Sequence, residues 1–498
     1  MDNSALNIQN HVALTSDMNL GLKPSAPRSR AYRVNIAPNN KQVFGSTDVI
    51  YIDIPTSRPN TWYDPSQSYL KFSVQCAATA AVAQGAVDAI YVDNCAYSFI
   101  SRLDVYHGSN LLETISQYGA LCNTILDSTL TQSDKAGLSS MMGTNPKQTI
   151  TCITGAAQAN NSFLGTATTQ TAGDRSGLPL RAVQGVGNIN TAFCQTFSLP
   201  LMSGVVGVSA SKMIPVGNLR APISLQIYTA ANDDAIYYAT AGAGATWQIV
   251  NVEFVATFVE IQDDNFGQHF DPSIPQYIST RSWRESSFSV QAGLTGEITN
   301  LLSFRMASIT NILGRFRNQA GAVQGANATC AYRLSSAINP NIAYFYFKLG
   351  SQIVPNKQIQ LYNNGTLVGS GSEAFAELQK SFHALDTIHG NAAVTYNQYN
   401  VASVANAGWL AAYPVDTLKA AGQLDTSNNA FAIGIELESF CHKGDTILSG
   451  ISSLNTNLFF TMGIISGNGN VTTACIAEFY CQFDMILCIQ DGYITARY

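Results

Sequence analysis

The sequence has 498 residues, too many for one ordinary core, so two domains are the starting expectation. Only 12% of residues are Asp, Glu, Lys or Arg, which is about half of ordinary usage. So poorly charged a surface fits a protein packed against copies of itself, or a secreted Ser/Thr-rich β protein, and the net charge of −6 argues against wholesale wrapping of nucleic acid.

Residues 1 to about 40 lack periodicity and carry Lys23, Pro24, Pro27, Arg28, Arg30 and Arg33, which predicts a flexible, locally basic arm. The first strand is expected in DVIYIDIP, around Val49 and Tyr51, and RPNTWYDP (58–65) reads as a turn. In SYLKFSV, Leu70, Phe72 and Val74 alternate with Tyr69, Lys71 and Ser73, the two faces of a half-buried strand. AYSFISRLDVYHGSNLLETI holds two strands broken at a tight turn, Gly108-Ser109, and Tyr118 to Leu130 reads as a short helix carrying Leu121, Ile125 and Leu126. The stretch from about 131 to 190 is rich in Thr, Gln, Gly and Ala and is expected to be a long insertion on an exposed surface.

Thr196 to Ala230 organises the first half. Phe197, Leu199 and Leu201 alternate with small or polar residues, as do Ile223, Leu225 and Ile227, so both flanks are strands. The connection between them, punctuated by Gly204, Gly207, Pro215 and Gly217, is too long for a hairpin. The two strands are therefore expected in facing sheets, the construction of a jelly roll. WQIVNVEFVATFVEI closes the set, with Val250, Val252, Phe254, Ala256 and Phe258 expected on one face.

QDDNFGQHFDPSIP (262–275) breaks the pattern and reads as a linker. The second half then repeats landmarks of the first in order, at offsets near 225 to 242. Leu70–Val74 corresponds to Leu302–Met306, Gly108-Ser109 to Gly350-Ser351, Glu253-Phe254 to Glu478-Phe479, and Ile261–Asp263 to Ile489–Asp491. A helix is expected over Ser372 to Ile388, with Phe375, Leu378, Phe382 and Leu385 on one side, followed by a polar insertion over about 390–429. AFAIGIELESF and SLNTNLFFTMGI supply the counterparts of the organising strands, with Phe431, Ile433, Ile435 and Leu437 on one face.

No chemistry-bearing constellation stands out, and no catalytic, cofactor-binding or metal-ligating residue is expected. Cysteines 76, 95, 122, 152, 194, 330, 441, 475, 481 and 488 lack metal-ligand spacing and read as reduced, mostly buried residues. Histidines 11, 107, 269, 383, 389 and 442 are scattered, and the His-x-His that a bicupin enzyme needs is missing. Gly242 and Gly244 sit in a turn without a phosphate-loop lysine. Asp233-Asp234 and Asp263-Asp264 read as solvated loop carboxylates. Four Asn-x-Ser/Thr sequons, at Asn160, Asn327, Asn364 and Asn470, read as chance matches, because no signal-peptide pattern opens the sequence. No apolar run is long enough to span a membrane, and the chain is expected to be soluble and made inside a cell.

The aromatic-x-Leu-Pro-Leu element followed by MIPVGNL and ISLQIYT resembles the F and G strands of the first barrel in double jelly-roll major capsid proteins of the tectivirus–adenovirus lineage. SFISRLDVYHGSNLLETI and the tandem repeat extend the resemblance over most of 41–498. It is strongest toward the capsid proteins of polinton-like viruses and virophages, and looser in the second half, where Ile-Glu-Leu-Glu replaces Leu-Pro-Leu. The resemblance implies an all-β fold of two tandem eight-stranded jelly-roll barrels with short helices and long loop insertions. Its division would be an arm at 1–40, barrels at 41–262 and 276–498, and a linker at 263–275. It further implies a non-enzymatic homotrimer with a pseudo-hexagonal outline that tiles an icosahedral virion assembled in an infected cell. Implied partners are neighbouring capsomers, penton and minor capsid proteins, and an inner membrane or genome reached by the arm, with no small-molecule substrate and no cofactor. The competing reading is a tandem β-sandwich that binds or hydrolyses glycans with two opposed carboxylates.

Overall fold

The computed structural model describes residues 27–56, 58–78, 90–144, 179–180, 194–238, 245–262, 273–318, 337, 339–340, 342–363, 366–367, 372–382, 399, 431–439, 447–464 and 474–498. The first half forms strands β1 (Ser29–Ile36), β2 (Val49–Ile54), β3 (Thr61–Ala78), β4 (Ile100–His107) and β5 (Asn110–Ser116). Helices α1 (Tyr118–Thr129), α2 (Gln132–Gly137) and α3 (Ser139–Met142) follow, then β6 (Gln195–Leu199), β7 (Ile223–Thr229), α4 (Asn232–Ala235) and β8 (Ala245–Ile261). The second half forms β9 (Gln276–Val290), β10 (Glu297–Leu302), β11 (Ile309–Asn318), β12 (Ile342–Leu349) and β13 (Gln352–Gln360), helix α5 (Ser372–Ser381), then β14 (Ala432–Glu436), β15 (Leu458–Ile464) and β16 (Cys475–Gln490).

The first eight strands make two antiparallel sheets, β1-β8-β3-β6 and β2-β7-β4-β5. The next eight repeat that order eight numbers on, β9-β16-β11-β14 and β10-β15-β12-β13. Lettered B to I in chain order, both barrels read B-I-D-G and C-H-E-F, the jelly-roll connectivity. The stretch 196–230 therefore holds strands G and H rather than F and G, and as expected they lie in facing sheets. Each hairpin between the fourth and fifth strands turns at a glycine in the left-handed region, Gly108 (φ +57) and Gly350 (φ +60), where a Cβ would be strained.

Packing follows from alternation. Phe72, Phe99, Phe197 and Trp247 meet in the first barrel, with Phe99 edge-on to Trp247 at 5.0 Å. In the second barrel Phe479 is ringed by Phe288, Phe316, Phe347 and Phe460, the last at 4.6 Å. A fully buried phenylalanine contributes about 1.5–3 kcal/mol. Strand β14 is covered on both sides. Phe431, Ile433 and Ile435 face the core, and α5 presses on the other side so closely that a Cβ on Gly434 would lie 2.9 Å from Leu378 Cδ1.

Several expectations need correction. Residues 29–36 of the expected arm are strand β1, paired with β8, because Tyr32, Val34 and Ile36 turn inward on alternate positions. In RPNTWYDP only Pro59-Asn60 turns. Thr61 to Asp64 pair with Glu260 to Thr257, and fully buried Tyr63 donates to the Val206 carbonyl at 3.2 Å. Pro65, which has no N–H for a ladder, falls in the break that follows. Asn251 (φ +52) forms a β-bulge that reverses the alternation, so Trp247 and Ile249 join Val252, Phe254, Ala256 and Phe258 on the core side while Val250 does not. Leu302–Met306 is no counterpart of Leu70–Val74: Leu302 ends β10, and the strand equivalent to β3 is β11. Finally, the insertion from 131 opens with helices α2 and α3. The first is capped reciprocally by Thr131 and Asp134 and pinned by buried Lys135, whose Nζ donates to Asp127 at 2.8 Å.

Candidate functional site at the seam between the barrels

Strand β5 and helix α1 carry the first barrel's side of the contact between the two halves. On β5, Glu113 is buried and its carboxylate accepts from the Ser203 hydroxyl, from the Gly204 N–H at 3.0 Å and from the Ser282 hydroxyl of β9. Thr280, also on β9, donates to the Gly204 carbonyl at 2.8 Å. The segment joining β6 to β7 is thus fixed between both barrels. Burial raises the Glu113 carboxyl above its ordinary range despite these donors. The donors are hydroxyls and an amide held inside a packed seam, so one carboxylate ties the β6–β7 segment and the second barrel's β9 together.

A second cluster is ionic. Arg315 and Arg317, two apart on β11, flank Glu478 on β16 at 3.4 and 3.1 Å. Arg317 also reaches Asp234 of α4 at 3.1 Å, and Arg315 Nη1 donates to the Ala120 carbonyl of α1 at 3.3 Å. Beside them Tyr480 donates to the Gln117 carbonyl at 3.4 Å, and burial holds its phenol well above the usual range. At a third place the turn Asp491-Gly492 docks on the first barrel, its Gly492 carbonyl accepting from the Arg220 N–H at 3.0 Å and from His107 Nε2 at 3.3 Å. Burial keeps His107 below its usual pKa, favouring the neutral ring.

The outer face of the first barrel's B-I-D-G sheet carries the same cross-strand pair in a different setting. Lys71 on β3 stands opposite Glu253 on β8, as Arg315 on β11 stands opposite Glu478 on β16. Lys71 and Glu253 are 3.1 Å apart with side chains 40% and 33% exposed, against 2% and 1% for Arg315 and Glu478. Arg33 donates to Tyr69 and Asn35 to Glu253 on the same face, at 3.3 and 3.1 Å.

Apart from His107, Asp234 and the basic arm's Arg33, none of these residues was weighed by sequence chemistry. The available signal was a charge pair, Arg315 and Arg317, inside an otherwise apolar strand run. Of the residues weighed for chemistry, His107 and Asp234 lie at the seam, Cys76, Cys95, Cys122, Cys475, Cys481 and Cys488 are free and buried, and Cys194 is exposed. The other five histidines, Cys152, Cys330, Cys441, Asp263-Asp264, Gly242, Gly244 and the four sequon asparagines lie outside the described residues. So do residues 1–26, most of both insertions, 263–272 of the expected linker and 383–388 of the expected helix. Among the described residues no group of three or more His, Cys, Asp or Glu could hold a metal ion, and no helix is long and apolar enough to cross a membrane.

No family model and no curated protein matches the sequence. Solved structures do match. The Faustovirus major capsid protein aligns with a TM-score of 0.57 at 10% identity, covering 97% of this chain and 94% of that one. A chain of the Sputnik virophage aligns at 0.54 and 12% identity, covering 97% and 92%. The mavirus major capsid protein aligns at 0.51 and 10% identity, covering 100% and 95%. Two barrels of B-I-D-G and C-H-E-F order in one chain define the double jelly-roll class. Within it, this chain has the fold of the double jelly-roll major capsid proteins of viruses and virophages. Neither the comparisons nor the described residues support the glycan reading.

Proposed function

We propose that this chain is the major capsid protein of a double-stranded DNA virus, acting as a trimeric building block of an icosahedral shell and not as an enzyme. The observation that carries the reading is the whole-length correspondence: the alignments run through both barrels and cover at least 92% of the Faustovirus, Sputnik and mavirus chains. Three copies of a two-barrel chain place six similar barrels around a threefold axis, which gives the pseudo-hexagonal outline that a lattice of capsomers needs. A chain with only 12% charged residues suits a life spent in extensive subunit contacts. In this reading the first barrel runs from β1, which begins at Ser29, to 262, the second is 276–498, and 263–275 joins them. The basic residues before β1 face an inner layer, the insertions at 131–190 and 390–429 meet the exterior or adjoining subunits, and neighbouring capsomers, penton and minor capsid proteins are the partners. Native mass of the purified protein, with negative-stain images, tests it. A trimer with a hexagonal outline is expected, and a monomer that persists across salt and concentration would overturn it.

A further inference from the structure

Beyond β16 the chain turns at Asp491-Gly492 and runs back as a further strand, β17 (Tyr493–Arg497), paired with Ile486–Gln490. Both turn residues lie in the left-handed region, at φ +51 and +79. Gly492 sits so tightly on the first barrel that a Cβ there would lie 2.7 Å from Arg220 Cγ and 2.9 Å from the Asn218 carbonyl oxygen. His107, the last residue of β4, closes this contact from the other side. We infer that the Asp491-Gly492 turn is an acid-released catch. With His107 neutral, the turn holds the end of the second barrel against the β4–β5 hairpin. A proton on His107 undocks it, while the Glu113 and Arg315 contacts elsewhere in the seam keep the barrels joined. The catch lies within one chain, so it stands or falls independently of the capsomer reading.

The surroundings of the ring carry the inference. His107 is 1% exposed, and because a carbonyl can only accept, Nε2 holds the hydrogen that reaches Gly492. A second proton must therefore land on Nδ1, which is buried and has no hydrogen-bond partner among the described residues. It would create a buried N–H without an acceptor and a buried charge without a counter-ion. The residues opposite His107 in register, Asn110 on β5 and Ile223 on β7, bring no charge. From the docked turn, the Tyr493 ring stands edge-on at 6.2 Å, and the turn's carboxylate, Asp491, is exposed. From the segment before β7, the Arg220 guanidinium lies 5.8 Å from the same Tyr493 ring, so the nearest fixed charge is a like one. Burial places the folded pKa of His107 below its ordinary 6.5, so the catch contributes fully above that value and loses its contribution as pH falls toward the folded one. Glu113 has the opposite sign, its carboxyl being raised by burial, so acid leaves that tie in place.

The test is hydrogen exchange of the full chain, read by mass spectrometry at about pH 7.5 and about pH 5 and corrected for the intrinsic effect of pH on amide exchange. The reporters are 218–222, which holds the Arg220 amide bonded to Gly492, and 486–497. Wild type is expected to lose protection about tenfold or more at the lower pH in both segments, with 280–284 of β9 unchanged. His107→Gln sets a donor that does not titrate where Nε2 stands, and is expected to show no such difference between the two pH values. Should glutamine fail to hold the turn at either pH, Arg220→Gln decides. It removes the neighbouring cation but keeps the backbone N–H, so the folded pKa rises toward the ordinary one and the acid-induced loss should shrink several-fold. Equal wild-type protection at both pH values would overturn the inference, as would an acid loss that persists undiminished in His107→Gln or in Arg220→Gln.

Discussion

The outer faces of the two B-I-D-G sheets carry one device in opposite settings: Lys71–Glu253 lies in solvent, and Arg315–Glu478 lies in the seam with Arg317 and Asp234 around it. The difference shows how duplicated barrels diverge. An exposed pair contributes about 0–1 kcal/mol and tolerates lysine's mobile ammonium. A buried pair must satisfy every charge, and arginine's planar fork reaches Glu478 and a backbone carbonyl together.

The largest way to break the comparison is Glu478→Ala, which leaves two arginines buried without their shared carboxylate. It is expected to cost about 3–5 kcal/mol in denaturant unfolding, with the second barrel and seam affected first. Next comes Glu113→Ala, which strands the Ser203 and Ser282 hydroxyls and the Gly204 N–H. A loss of about 2–3 kcal/mol is expected. The same residue sets a pH dependence. Its carboxyl is raised in the folded protein above the ordinary 4.5, so the folded state binds the proton more tightly and the contribution is fully present below 4.5. That contribution is lost as pH rises through the folded value. Urea midpoints should therefore fall with rising pH across that window, and Glu113→Gln should flatten this part of the profile. A smaller, symmetric effect is expected at the two hairpin turns. Gly108→Ala and Gly350→Ala both meet only ordinary contacts, Ala221 at 3.5 Å and Thr456 at 3.7 Å, so each should cost about 1–2 kcal/mol from backbone strain alone. Markedly unequal losses would show that the two hairpins are not equivalent. Smallest is Glu253→Ala in the isolated chain, expected to change stability by less than about 1 kcal/mol, in contrast to its counterpart Glu478.

Much of the fold was legible because alternation is local. The strands at Phe197–Leu199, Ile223–Ile227 and Phe431–Leu437 announce which side is buried, and the glycine turns at 108 and 350 fix the hairpins between them. Asn251 was not legible, since one extra residue reverses every side chain beyond it while leaving both halves looking like good strand. Leu302–Met306 misled for a related reason: a five-residue alternation carries no label saying which partner it pairs with, and only the sheet order assigns that. The seam was hidden more deeply. Glu113, Ser203 and Ser282 are ordinary residues for half-exposed strands and loops, and their importance arises from the placement of one barrel against another. Arg315 and Arg317 could have been suspected, because charge inside an apolar strand demands a partner.

The contacts at the seam also join the most distant parts of the chain: His107 meets Gly492 across 385 positions, and Gln117 meets Tyr480 across 363. Contacts of such separation are the slowest to form, whereas the hairpins on either side close early. The first barrel, complete by Ile261, can fold on the ribosome while the residues that set its angle to the second are still to be made. Through that interval β5 and α1 lack their cover. Joining two barrels in one chain puts that cover, once made, permanently within reach, so the seam closes as a unimolecular step whose rate is independent of how many copies the cell has accumulated.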